Sequence, residues 1–225
     1  MRNEVDWKET KFTRKDGLLN ASPDPGEVGI ALRLMATLIA REYQQAISAH
    51  ATGRLLDLGC GKVPLYGTYK ERVSSITCVD WANSEHRNIH IDKEANLTQP
   101  PDFPDCSFET VILSDVLEHI PVPLDLCREI ARILSPGGKL LMNVLFYYWL
   151  HEAPFDFYRY TEHALRRFMQ SLMMRFAKAG PPIAATIQRA SIWFCGTGVG
   201  GRASRFTAGQ FPFATSWLPR DRPIL

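Results

Sequence analysis

The stretch Arg54-Leu55-Leu56-Asp57-Leu58-Gly59-Cys60-Gly61 constrains the chain more than any other. An apolar run ends in an acid and breaks into two glycines one residue apart. A run this short reads as a buried strand rather than a helix. A strand that breaks into a glycine turn is expected to present backbone N–H groups at the carboxyl end of a sheet, where open α/β folds bind ligands. Downstream, strand candidates recur at Ser75–Val79, which ends in Asp80, at Ile89–Ile91, which ends in Asp92, at Thr110–Leu113, which ends in Ser114-Asp115, and at Lys139–Phe146. Helical stretches fall between them at Tyr66–Arg72 and Leu124–Leu134. Pro121 and Pro123 open the second, since a proline in a first helical turn gives up an N–H that has no partner there. Ser135-Pro136-Gly137-Gly138 closes it. No hairpin signal separates these strands, so the pattern predicts a parallel sheet with helices on both faces.

Upstream, residues 1–26 are polar and read as an irregular arm whose Trp7 and Phe12 either pack on the body or cover a ligand. Glu27–His50 lacks proline and spaces Ile30, Leu34, Leu38 and Ile47 as one amphipathic helix packed on the sheet. Beyond the last strand, His151–Tyr160 is aromatic, charged and irregular. Thr161 is an N-cap candidate for a helix from Glu162 to about Phe176, with Leu165, Phe168, Met169 and Leu172 on one face. After Met174 the composition changes. Residues 175–225 hold one acid, Asp221, against seven Lys or Arg, a formal charge of +6 that leaves −4 for residues 1–174. Three parts follow: an arm and helix over 1–50, a ligand-binding domain over 51–174, and a basic Gly/Pro-rich segment over 175–225.

Several classes are excluded. The acidic body and a net charge of +2 argue against a nucleic-acid groove. Met1–Arg14 has no apolar core of a leader, and the longest apolar run, Leu140–Leu150, is interrupted by Asn143 and too short to span a bilayer, so a cytoplasmic location is expected. The five cysteines are odd in number and none sits at C-x-x-C spacing, and the six histidines include no H-x-x-x-H pair. No disulfide framework and no metal are therefore expected.

Three constellations carry chemistry. In Asp57-x-Gly59-x-Gly61, the third glycine of a dinucleotide fingerprint is replaced by Pro64, so a pyrophosphate-binding helix is not expected there. What remains is a tight turn beside a carboxylate, which suits an ammonium-bearing ligand and repels a phosphate. Asp80 ends the second strand of the sheet at the offset expected of an acid that accepts from ribose hydroxyls, and Trp81 follows it as a surface for a flat base. Ser114-Asp115-Val116-Leu117-Glu118-His119 brings polar groups to the same sheet edge, with His119 as a candidate base or a structural residue.

Taken in order, Arg54–Gly61, Cys78-Val79-Asp80, Asp105–His119 and Arg128–Lys139 resemble the class I S-adenosylmethionine-dependent methyltransferases of the small-molecule type, over roughly residues 50–170. The resemblance implies a Rossmann-like, doubly wound α/β sheet, mostly parallel, that ends in an antiparallel hairpin. In this chain that hairpin is expected to be atypical or incomplete, with one candidate strand around Ala185–Phe194. The resemblance also implies bound S-adenosylmethionine. Asp57, Gly59, Cys60 and Gly61 would hold its methionine end, Asp80 its ribose, Trp81 and the Asn96-Leu97 pair its adenine, and Ser114 and Val116 would line the pocket. His119 matches a frequent histidine of the family. Lys62-Val63 stand where the family usually has glycine or a small residue. Pro154–Thr161 resembles a segment of a subset of these enzymes, and Tyr158, Arg159 and Tyr160 within it are acceptor-site candidates or packing residues. Ser114-Asp115-Val116 is not the Asn/Asp-Pro-Pro-aromatic signature of many nucleic-acid and protein amino-group methyltransferases. The expected reaction is methyl transfer to a small oxygen or carbon nucleophile, sugar- or lipid-linked acceptors included. The rival readings are a catalytically silent relative and an NAD-dependent oxidoreductase. For the tail, a divergent surface segment and a shifted reading frame are both open.

Overall fold

The computed structural model describes residues 1–82, 89–168 and 184–187, the last as backbone only. The arm is not irregular. β1 (Phe12–Lys15) and β2 (Leu18–Ala21) form an antiparallel hairpin, joined by Asp16-Gly17 at φ 52° and 77°. Both central residues have the positive φ that a type I′ turn needs, and Asp-Gly supplies it at low cost. The hairpin buries Phe12 and Leu19, and the Trp7 ring meets Tyr66 edge-on at 5.0 Å while its indole N–H donates to the Val63 carbonyl at 3.0 Å. Trp7 and Phe12 thus pack on the body.

Helix α1 (Arg33–His50) is shorter than the sequence suggested, and of the four spaced aliphatics only Ile47 is fully buried. Ala36, Ala40, Tyr43, Ala46 and Ile47 are buried, whereas Ile30 and Leu34 are each 74% exposed. Small residues let this helix lie close to the sheet, so the larger aliphatics near its start were a poor guide to the buried side.

The central sheet consists of β3 (Arg54–Leu58), β4 (Ser75–Asp80), β5 (Lys93–Glu94), β6 (Phe108–Ser114), β7 (Leu134–Asn143) and β8 (Ala184–Ile187) in the order β5-β4-β3-β6-β7-β8, all parallel. The intervening helices are α2 (Tyr66–Tyr69) and α3 (Pro123–Ile133), with Pro123 in the first turn of α3. Residues 162–168 are helical, and Thr161 caps them by accepting from the Ala164 N–H at 3.2 Å. This is a doubly wound Rossmann-like α/β fold, as the sequence indicated.

Three details differ. The short strand β5 lies at Lys93–Glu94 rather than 89–91, where the chain turns. β7 begins at Leu134, which pairs with Phe108, and Ser135–Gly138 bulge out before Lys139 pairs with Thr110. At the far edge the resemblance implied an antiparallel hairpin, whereas β8 runs parallel to β7, pairing Lys139 with Ala184 through Met142 with Ile187. Residues 195–225, and the expected helix beyond 168, lie outside the described residues.

Alternation along the strands divides the core in two. Leu55, Ile112 and Leu141 point to α1 and the hairpin, while Leu56, Val111, Leu140 and Met142 point to α3 and Leu165. Strand order reverses between β3 and β6, and both open their carboxyl ends on the same side. That is the switch point where doubly wound sheets bind ligands.

Candidate functional site

The glycine turn after β3 uses its amides internally. Gly59 N–H and Cys60 N–H both donate to the Val79 carbonyl, at 2.8 and 3.1 Å, and Gly61 N–H donates to Asp80 Oδ2 at 2.8 Å. The amides expected to face a ligand therefore tie the turn to the end of β4. What the glycines provide is conformation and room. Gly59 has φ +73°, and a Cβ there would stand 2.3 Å from Val116 Cγ2. Gly59 and Val116, named separately from sequence, thus touch across the switch point. Val63 takes φ +53° where the resemblance implies glycine or a small residue, a conformation costly for a β-branched side chain.

Two carboxylates flank the turn. Asp57 is buried in β3 and accepts from Tyr69 O–H at 2.7 Å. Burial raises its pKa to about 7, the Tyr69 hydrogen bond opposes this, and the charge of Asp80 adds to it. Asp80 ends β4 and accepts from Gly61 N–H and, through Oδ1, from Trp81 N–H at 2.7 Å. Trp81 is half-buried and meets Phe155 edge-on at 5.3 Å. Cys60 is buried, and its thiol is pushed well up by a hydrogen bond with Cys78 and by burial. The Asn96-Leu97 pair divides. Leu97 packs into the core, while Asn96 is exposed and its Oδ1 accepts from Thr98 N–H at 3.0 Å and Oγ1–H at 2.8 Å.

The β6 and β7 ends form the other half. Asp115, at φ 55°, directly follows Ser114. Its carboxylate accepts from Lys11 Nζ at 3.0 Å, from Ser114 Oγ at 3.5 Å and from Asn143 Nδ2. Burial raises the Asp115 pKa, but the Lys11 charge and these hydrogen bonds outweigh it, so the net shift is downward. Lys11 comes from the arm and Asn143 from the end of β7. Neither was singled out from sequence, and Lys11 carries no local signal that could have found it.

Next along the chain, Glu118 is fully buried and neither carboxylate oxygen has a hydrogen-bond partner. Burial, then the charge of Asp115, pushes its pKa up to about 8. His119 Nδ1 lies 2.9 Å from the Phe155 carbonyl, which only accepts, so Nδ1 carries the proton. Among the other sequence candidates, Tyr158 O–H donates to the Pro121 carbonyl at 2.8 Å and Tyr160 O–H to the Leu117 carbonyl at 2.9 Å. Arg159 grips Asp156 with both terminal nitrogens and donates to the carbonyls of Tyr148 at 3.2 Å and Trp149 at 2.9 Å. Tyr158 and Tyr160 fasten the segment 147–160 to the stretch after β6, and Arg159 ties the segment to itself. Asp156 also accepts from His151, through its backbone N–H at 3.0 Å and its Nδ1 at 3.1 Å. His151 was missed because only folding brings it to His119, their ring centroids 4.8 Å apart.

The sequence model of the methyltransferase-domain family matches residues 31–180. Among curated proteins, the ubiquinone biosynthesis O-methyltransferase of Xanthomonas euvesicatoria is 30% identical over 119 residues, covering 46% of this chain and 48% of that one. Its counterpart in Xanthomonas campestris is 29% identical over 119 residues, with the same 46% and 48% covered. The chain thus spans about half the length of these relatives. Among solved structures, a methyltransferase in complex with the Haloferax volcanii Trm112 methyltransferase activator superposes with a TM-score of 0.50 at 20% identity, covering 59% of this chain and 69% of that one. That likeness concerns the fold.

Proposed function

The chain belongs to the methyltransferase-domain family, and we propose that it moves a methyl group from S-adenosylmethionine to the oxygen of a small-molecule acceptor. One observation carries the reading. Two carboxylates, Asp57 and Asp80, flank a glycine turn at the switch point, and Lys62, the cation beside the turn, is paired with Glu27 at 2.7 Å. That donor set suits a cationic amino-acid group and a pair of ribose hydroxyls, and it repels a phosphate. The residues therefore fit the cofactor. Asp57 would hold its ammonium, Asp80 the ribose, Trp81 the adenine face, and Ser114 and Val116 the wall beside them. When bound, the cofactor supplies a methyl group on a sulfonium, an activated donor with a good leaving group. The protein's part is to align and to exclude water. Segment 147–160, fastened by Arg159, Tyr158 and Tyr160, walls the acceptor side, and Lys11 holds Asp115 charged and in place.

The curated relatives are named as O-methyltransferases, which favours oxygen over carbon as the nucleophile. Sugar- and lipid-linked acceptors both remain within this reading. Calorimetry with S-adenosylhomocysteine tests it. We expect one site per chain, with Asp80→Ala reducing affinity by about a hundredfold. A folded chain that takes up no S-adenosylhomocysteine overturns the reading.

Val63 in its left-handed conformation supports a second reading, a relative that keeps the fold and has lost turnover. Binding without turnover over a broad acceptor panel would select it. The NAD-dependent reading is disfavoured. Pro64 follows the turn, and α2 is only Tyr66–Tyr69, which leaves no long helix to receive a pyrophosphate.

A further inference from the structure

We propose that Glu118, His119 and His151 form a binding site for one divalent transition-metal ion of the zinc class, on the acceptor side of the cleft. One ligand atom from each of the three lies within 4.8 Å of the others. Two ligands bound tetrahedrally at about 2.1 Å to one ion stand about 3.4 Å apart, so side-chain movements of up to about 0.8 Å per group would close the site.

The hydrogen bonds around the two histidines are those that metal-binding imidazoles need. His119 gives its Nδ1 proton to the Phe155 carbonyl at 2.9 Å, and His151 gives its own to Asp156 Oδ2 at 3.1 Å. In each ring the lone pair is left on Nε2. A carbonyl or carboxylate behind a histidine fixes its tautomer and orients it in this way at metal centres. Asp156 is itself gripped by Arg159, so the orienting group is held in turn.

The third ligand gives the independent observation. Glu118 is fully buried, yet both of its carboxylate oxygens lack a hydrogen-bond partner. A buried polar group without a partner is expensive, and such groups in native proteins call for an explanation. A cation between Glu118 and the two Nε2 atoms supplies one. Two nitrogens and one carboxylate oxygen make the set found in catalytic zinc sites, which keep a fourth position open. Glu152, 46% exposed and 3.9 Å from His119 Nε2, borders that position without filling it. The open position would take an oxygen of the acceptor, a role that rests on the methyltransferase reading. Ion binding itself does not depend on it.

The test uses the full chain, stripped with chelator and titrated with Zn2+ by calorimetry and with Co2+ by visible absorption. We expect one equivalent taken up, with a cobalt spectrum of nitrogen and oxygen ligation. Because Glu118 and His119 are packed against the core, His151→Gln is the decisive variant. It should weaken Zn2+ binding by about a hundredfold, and Asp156→Asn by roughly tenfold or more through the lost orienting bond. S-adenosylhomocysteine binding by His151→Gln should match the parent and show that the variant is folded. No stoichiometric uptake, or uptake unchanged in His151→Gln, as binding at the cysteines would give, overturns the proposal. Zinc uptake in a chain that binds no S-adenosylhomocysteine would sink the methyltransferase reading and leave the metal site standing.

Discussion

The two halves of the cleft are built by different means. On the proposed cofactor side, at the ends of β3 and β4, the turn is held mostly by backbone contacts: three residues long, it is tied by its own amides to Val79 and Asp80. On the acceptor side, at the ends of β6 and β7, the contacts join distant parts of the chain. Lys11 of the arm reaches Asp115, and His119 meets the segment 147–160. The first half is held by backbone hydrogen bonds. The second is assembled from side chains, so it can change its chemistry without disturbing the sheet. Substitutions on either side should therefore separate cofactor binding from the rest of the site.

The largest effect is expected where Gly59 meets Val116 across the two halves. Gly59→Ala places a Cβ 2.3 Å from Val116 Cγ2 at φ +73°. Neither the turn nor Val116 can give without moving the end of a central strand. We expect a loss of about 3 kcal/mol in stability, of which about 1 kcal/mol is the left-handed conformation, and S-adenosylhomocysteine affinity down by more than about a hundredfold. Adding Val116→Ala should return the steric part and leave the conformational part. A double variant no better than the single one, in melts and in calorimetry, would mean that the two halves are not coupled through this contact.

Next is the clamp. Arg159→Met removes the fork from Asp156, whose side chain is only 3% exposed, and the donors to Tyr148 and Trp149. Breaking one partner of this partly buried pair costs about 1 to 3 kcal/mol. Here the cost should fall on the segment 147–160. Amide exchange there should rise by about tenfold or more, while S-adenosylhomocysteine affinity changes by less than about threefold. Lysine should not rescue it, since it cannot form the fork. Equal loosening of both halves would show that they are one cooperative unit.

The two halves also differ in how far the sequence disclosed them. Asp57, Gly59, Gly61 and Asp80 lie within one strand–turn–strand unit, so spacing alone brought them together. Leu97 packs into the core, and Asn96 spends its side chain on a local turn with Thr98. On the acceptor side, Ser114 and Val116 were legible as strand-end residues. Lys11, Asn143 and His151 were not, because nothing in their neighbours records which distant residue they will meet. Tyr158 and Arg159, acceptor-site candidates or packing residues by sequence, spend hydrogen bonds on the Pro121 carbonyl and on Asp156. Two errors in the fold had readable causes. Asp16-Gly17 is a hairpin signal inside a polar arm, and α1 buries three alanines and Tyr43 beside Ile47 while Leu34 stays exposed. Side-chain size is a weak guide to orientation when a helix lies close to a sheet.

A smaller effect on the cofactor side follows from protonation. Asp57 is held at a pKa of about 7, raised from 3.8, so it is neutral below that pH and charged above it. The folded chain therefore binds a proton that the unfolded chain has lost between about pH 4 and 7, and this group's contribution to stability is full below pH 4 and declines up to about 7. Ligand binding runs the other way. An ammonium favours the carboxylate, so S-adenosylhomocysteine affinity should rise by about tenfold from pH 6 to pH 8, with proton release visible as a buffer-dependent enthalpy. Asp57→Asn should flatten that dependence. A parent profile as flat as the variant's would remove Asp57 from the ammonium site.

The smallest expected change tests whether the departure at Val63 matters. Val63→Gly relieves a β-branched residue at φ +53°, worth about 1 to 2 kcal/mol. It also removes a fully buried side chain, worth about 2 kcal/mol. The two nearly cancel, so melts should shift by no more than a few degrees. Since Val63 N–H still donates to the Cys60 carbonyl, the turn should keep its shape and S-adenosylhomocysteine affinity should change by less than about threefold. Binding tightened well beyond that would mean that valine distorts the corner, and would favour the catalytically silent reading. A stability loss above about 3 kcal/mol would mean instead that packing by Val63 under Trp7 holds the turn in place of the family's glycine. The cofactor half would then depend on the arm as much as the acceptor half does.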